Sequence, residues 1–141
     1  TVQALDAAGN PLFSPAGLVV KNLDGNTLRN APEYSLKLGV QYSVDVAGYE
    51  ILARVDHFWQ DDYFANEFNK PSDQIEAWEQ TDVQLVLQPA SSDWRLKAFA
   101  KNVLDNDDVL RRGQDGPLVG RFRSVTVLEP RTYGVELFMQ F

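Results

Sequence analysis

The chain has no cysteine, one histidine and one methionine in 141 residues. Without a thiol, disulfide scaffolds, cysteine nucleophiles and thiolate metal centres are excluded, and the redox compartment is left open. The lone imidazole, His57, has no second histidine to share a metal with, and near a strand end it reads as a packing or interface residue. No apolar run approaches the roughly 20 residues of a spanning helix, which excludes helical membrane spans only. Positive charge is also scarce: 13 Lys and Arg stand against 20 Asp and Glu, a net charge of −7 with a pI near 4.6. No clustered basic face of the kind that tracks phosphates is present, so no nucleic-acid partner is expected.

What the chain does have is alternation. Tyr133, Val135, Leu137, Met139 and Phe141 occupy every second position of the last nine residues, with Gly134, Glu136, Phe138 and Gln140 between them. A period of two puts the first set on one face of a strand. Terminal residues fray unless tied into a sheet, and a strand that closes an outer-membrane barrel is tied in and faces lipid. A mean hydropathy of −0.30 does not oppose this, because spanning strands of about 9 to 11 alternating residues leave the average looking soluble.

Four further runs repeat the pattern. From Ser35 to Val46, Leu36, Leu38, Val40, Tyr42, Val44 and Val46 alternate with Lys37, Gly39, Gln41, Ser43 and Asp45. Tyr49 to Gln60 follows after only Ala47 and Gly48, a connection short enough to force an antiparallel hairpin, although Leu52 and Phe58 blur its polar face. Thr81 to Gln88 and Trp94 to Lys101 form a second pair, turned at Pro89 to Asp93. At the opposite end the connections are long and polar: Asp61 to Trp78, and Leu104 to Glu129 with Asp105-Asn106-Asp107-Asp108 and Arg111-Arg112. Ser124 to Leu128 is expected to extend the last strand, with Pro130 marking an interruption.

The expected fold is therefore all-β, an antiparallel up-and-down meander of about five strands. Residues 1–33 read mostly as an extracellular loop, with a strand remnant at Val2 to Leu5, and residues 34–141 as strands and loops of an incomplete domain. Short turns at one end and long loops at the other are the asymmetry of an outer-membrane barrel. About five strands cannot close such a barrel, and lipid offers open edges no hydrogen-bond partner, so a fragment of a transmembrane β-barrel is expected.

Five short motifs in order resemble the C-terminal barrel of TonB-dependent outer-membrane receptors. They are Asn30-Ala31-Pro32-Glu33-Tyr34, Trp59-Gln60-Asp61-Asp62-Tyr63-Phe64, Thr81-Asp82, Lys101-Asn102-Val103-Leu104-Asp105, and Glu129-Pro130-Arg131-Thr132-Tyr133-Gly134 running on to Phe141. The likeness spans about Gly25 to Phe141; Val103-Leu104 departs mildly from the family's turn motif. The resemblance implies a receptor for uptake of a scarce nutrient such as a metal chelate, cobalamin or an oligosaccharide, in the outer membrane of a Gram-negative bacterium. It implies as partners outer-membrane lipid, the barrel-assembly machinery and, in the full-length protein, a plug domain and TonB. It further implies that Tyr133, Val135, Leu137, Met139 and Phe141 act as the assembly signal.

Other readings predict different residues at work. A soluble β-sandwich or lipocalin-like ligand binder would bury the same apolar face against a second sheet, whereas Trp94, Tyr133 and Tyr42 near strand ends fit an interfacial aromatic belt. Another outer-membrane barrel, a porin or a barrel enzyme, is the second alternative; no nucleophile or base accompanies the Asp61-Asp62 pair, so no enzyme is expected. Asp105, Asp107 and Asp108 lack the glycine and closing glutamate of a calcium loop and read as a solvated turn; no metal and no cofactor is expected. Lys37, Asp45, Arg54, Asp56, Arg95, Lys97 and Lys101 share the face predicted to line the lumen. Substrate contacts are assigned by loop position to Trp59, Tyr63, Phe64, Arg111 and Arg112.

Overall fold

The period-2 runs form strands. A computed structural model describes residues 2–3, 6, 8–10, 13–14, 17–18, 20–91, 93–114 and 122–140. The N-terminal strands are short: β1 (Val2–Gln3), β2 (Phe13–Ser14), β3 (Gly17–Leu18) and β4 (Val20–Lys21). They are followed by β5 (Ser35–Val46), β6 (Tyr49–Gln60), β7 (Tyr63–Phe64), a single 3-10 turn at Pro71–Asp73, and β8 (Gln74–Ile75). Then come β9 (Trp78–Pro89), β10 (Trp94–Lys101), β11 (Val109–Gln114), β12 (Arg123–Val127) and β13 (Thr132–Met139). Among the described residues there is no α-helix.

The long strands make one five-stranded antiparallel sheet in the order β13-β10-β9-β6-β5, a meander as the alternation predicts. In the described residues β5 and β13 are its open edges. The β5–β6 hairpin turns through Ala47 (φ 51°) and Gly48 (φ 83°), the double left-handed conformation of a type I′ turn, whose twist matches that of the flanking strands. Ala90 N–H donates to Gly48 O at 2.9 Å, linking the two short turns, and Gln140 N–H donates to Asp93 O at 2.9 Å, pinning the end of β13.

Register carries the alternation across the sheet. One row runs Val40, Val55, Val83, Ala100, Tyr133; the next runs Tyr42, Ala53, Leu85, Ala98, Val135; the third runs Val44, Ile51, Leu87, Leu96, Leu137. Although Leu52, Phe58, Val86, Phe99 and Phe138 fall on the other side, every strand thus shows an apolar row on the same face. That face is uncovered: Val40 and Val135 are each 70% exposed, and Tyr133 is 80% exposed. The other face holds Lys37, Asp45, Arg54, Asp56, Arg95, Lys97 and Lys101 together, as the parity requires. Gly39 leaves room there for the Arg54–Asp56 pair at 2.6 Å, since a Cβ would stand 3.0 Å from the Asp56 carboxylate.

Neither face is a packed core. Among the described residues the buried hydrophobic side chains are Ile75 and Leu128 alone, and both belong to the loop end. The accessible surface is 10440 Å² for 15.9 kDa. A globular protein of that mass exposes about 7,400 Å².

Two expectations need revision. Residues 104–129 contain a hairpin: β11 pairs with β12, and Arg123–Val127 does not prolong β13. Pro130 cannot donate to a ladder, residues 128–131 lie outside any strand, and Val127 pairs with Val109. Tyr42 sits opposite Ala53 in the middle of the apolar face, not at its margin. Residues 1–33 also carry two small strand pairs, β1 with β4 and β2 with β3; Val2–Gln3 lies within the expected strand remnant, while Ala4 and Leu5 are outside the described residues.

Candidate functional site

The long-loop ends of β9, β10 and β13 converge on Asn102, 1% exposed and in the left-handed region at φ 49°. Its backbone N–H donates to Asp82 Oδ1 at 3.0 Å, and its side-chain amide donates to Asn106 O and Glu129 O, each at 2.8 Å. Asn106 returns a bond from its N–H to Asn102 Oδ1 at 3.1 Å and sends its own amide to Glu79 O at 3.0 Å. Asp105 accepts from Arg131 N–H at 3.1 Å, and its carboxylate lies 3.3 Å from the Arg131 guanidinium. Val103 N–H donates to Thr81 O and Leu128 N–H to Asp108 O. Three of the five motifs named from the sequence, around Asp82, Asn102 and Arg131, are therefore one hydrogen-bonded clasp. Asn suits its centre because it offers both a donor and an acceptor and tolerates positive φ.

The long loops are also tied to one another. Asn30 N–H donates to Phe64 O at 2.8 Å, Asn26 reaches Glu67 O at 2.7 Å, and Asp61 N–H donates to Tyr34 O at 3.0 Å, so residues 26–34 lean on residues 61–69. β7 pairs with β8, which buries Ile75, and Ala65 N–H donates to Asp73 O at 2.8 Å. The Tyr63 hydroxyl donates to Leu110 O of β11 at 2.7 Å. Burial pushes the Tyr63 phenol above its ordinary 10.0, against smaller opposing effects of Gln60 and the charge on Arg111.

Of the residues assigned to substrate contact, the structure brings Tyr63, Phe64, Arg111 and Arg112 into this loop group. Trp59 instead stands on the apolar face, opposite Leu36 and Glu79, beside His57. His57 is held by Thr81 at 2.9 Å and lies 3.9 Å from Glu79. Tyr133, Val135, Leu137 and Met139 lie in line on the apolar face of β13, and Phe141 is outside the described residues.

The polar face holds a cavity of about 220 Å³ lined by Asp56, Asp82, Gln84, Lys97, Phe99 and Glu136 among others. Lys97 bonds Glu136 across the strands at 3.1 Å, and Arg95 stacks over the Phe138 ring at 4.7 Å. Among the described residues no group of three or more His, Asp or Glu could hold a metal ion. No protein-family model, no curated protein and no solved structure matches the chain.

Sequence reasoning missed Asn102 as a hub, and it missed Ser72, Asp73 and Arg123. Asp73 is 6% exposed and bonds the Asn66 amide. No local pattern marks these residues, because Asn102 also bonds Asp82 and Glu129, and Ser72 and Asp73 meet Arg123, all distant in the chain. The one available signal was charge density: Arg111, Arg112, Arg121 and Arg123 fall within 13 residues of an acidic chain.

Proposed function

We propose that this chain is the C-terminal part of the β-barrel of a TonB-dependent outer-membrane receptor that takes up a scarce nutrient, acting without catalysis. The observation that carries this reading is the uncovered apolar face shared by all five long strands, opposite the face that carries their charged residues. A soluble sheet with such a face would lose several hundred Å² of favourable burial, whereas lipid makes it the favourable side.

Two magnitudes agree with it. From Leu36 to Val46 the face runs about 33 Å along the strand, or about 25 Å of height at a tilt near 40°, the thickness of an outer-membrane apolar band. Its loop-side edge is oblique: β5 is apolar from Leu36, but β13 only from Tyr133, which shares the register row of Val40. Four residues of offset over four strand spacings is a slope of about 35°, close to the strand tilt of such barrels. Tyr49 and Trp94, with ring centroids 6.5 Å apart, mark the short-turn margin where an aromatic belt belongs.

On this reading Tyr133, Val135, Leu137, Met139 and Phe141 form the signal recognised by the barrel-assembly machinery, the polar face receives the plug domain, and TonB supplies the energy in the full-length protein. Leu85 and Gln84 test it, being neighbours on opposite faces. Leu85→Arg places a charge in lipid, at about 2–4 kcal/mol, and is expected to lower the amount of protein in the outer-membrane fraction; Gln84→Arg is expected to leave it unchanged. Recovery of the chain as a detergent-free soluble monomer would overturn the reading in favour of the sandwich.

A further inference from the structure

Two guanidinium groups on the loop hairpin converge on one serine. Arg112 and Arg123 share a face of β11–β12, since Arg112 pairs with Val125 and Gln114 with Arg123. Arg112 Nη1 stands 3.5 Å from Ser72 O, and Arg123 Nη2 stands 3.5 Å from Ser72 Oγ and 3.9 Å from Asp73 Oδ1. All three contacts are long. Two guanidiniums carry ten N–H donors between them, and Nε of Arg112 is buried with no hydrogen-bond partner. A buried donor left unmatched is costly, and an Arg fork is shaped to give Nε–H and Nη–H together to one oxyanion.

Charge points the same way. Among the described residues Asp73 is the single carboxylate in contact with the pair; it is nearly buried and also occupied by Asn66. Two cations against one anion, counted among the described residues, leave a net positive site on a chain of net charge −7.

We propose that Arg112, Arg123 and the Ser72 hydroxyl form an oxyanion-binding site, filled by a phosphate- or carboxylate-bearing ligand. The ligand's oxygens accept from the Nη groups of Arg112 and Arg123 and replace the long contacts to Ser72; Nε of Arg112, enclosed in the free protein, joins them when that side chain turns toward the ligand. The site lies among loops beyond the apolar band, so on the receptor reading, on which this proposal rests, it gives the transported nutrient an anionic group. The same oxygens could come from a lipid headgroup, and the experiment separates the two sources.

The full chain in a zwitterionic detergent is titrated with inorganic pyrophosphate at low salt by calorimetry, and separately washed in micelles carrying phosphatidylglycerol to measure retained lipid. The site predicts pyrophosphate binding that weakens as salt is raised, and a rise of about tenfold in Kd for Arg123→Gln, with Arg123→Lys between the two. Arg112→Gln is expected to do the same; because part of Arg112 is buried, the half-exposed Arg123 is the decisive position. Lipid retained through Arg123 without pyrophosphate binding would keep the site and assign it to a headgroup. Absence of both, or equal binding by wild type and Arg123→Gln, would overturn it. Quenching of tryptophan fluorescence by brominated detergent reports the lipid-facing reading in the same sample, so either idea can fail alone.

Discussion

Phe99 and Gly134 face one another across the β10–β13 ladder, and the Phe99 ring fills the space above the glycine. A Cβ at 134 would meet its Cζ at 2.8 Å and its Cε1 at 3.0 Å. The ring cannot retreat freely, because Lys97 lies 5.2 Å from its centroid and is itself bonded to Glu136. Gly134→Val should therefore strain the pair and destabilise the sheet by about 1–3 kcal/mol, read as a lower urea midpoint. Adding Phe99→Leu should recover most of the loss; no recovery would show that the strain lies elsewhere.

The clasp separates two contributions at one residue. Asn102→Gly keeps positive φ accessible but removes the amide bonds to Asn106 and Glu129, whereas Asn102→Ala removes the bonds and adds backbone strain. Both should destabilise, with Ala worse than Gly by about 1 kcal/mol, measured on the unfolding midpoint. Equal losses would mean that the left-handed backbone contributes nothing.

Ala47 holds φ 51° in a turn where Asn or Gly is the usual occupant. Ala47→Asn is expected to raise stability by about 0.5–1 kcal/mol without changing the denaturant slope. A fall in stability would contradict the type I′ assignment.

Alkali should loosen the loops before it touches the sheet. The folded protein prefers the neutral Tyr63 phenol, so its packing on Leu110 is at full strength below the ordinary value of 10.0 and is lost as pH climbs from there through the raised value. The rate of proteolytic cutting within residues 61–75 should rise over that window in wild type and stay flat in Tyr63→Phe. A wild-type rate indifferent to alkali would refute the burial of this phenol.

The strands were legible because each carries its own period: Leu36 to Val46 needs no partner to announce which side is greasy. The two-residue turn at Ala47-Gly48 and the five-stranded order followed from connection length. The β11–β12 hairpin was not legible, since Arg111-Arg112-Gly113 shows no alternation and its register shifts between Val109 and Arg111. Nor was Asn102, whose side-chain and backbone partners include residues 82, 106 and 129, visible as more than a motif letter. The convergence of Arg112 and Arg123 on Ser72 depends on how far the hairpin leans, a tertiary fact with no local trace.

The bond from Leu128 N–H to Asp108 O, 2.8 Å long, closes the base of the hairpin beside the clasp. The chain leaves the sheet after Lys101 and returns at Thr132, and between these points Asp108 and Leu128 are held together, so the β11–β12 hairpin forms a detour the strands do not count. Loop-closure entropy grows only slowly with length, and a detour with pinned ends can be lengthened, shortened or exchanged at little cost to the strands beneath. This makes residues 109–127 a natural cassette: a place where one scaffold can acquire new specificities, and where an epitope or a foreign hairpin can be grafted while the sheet keeps its register.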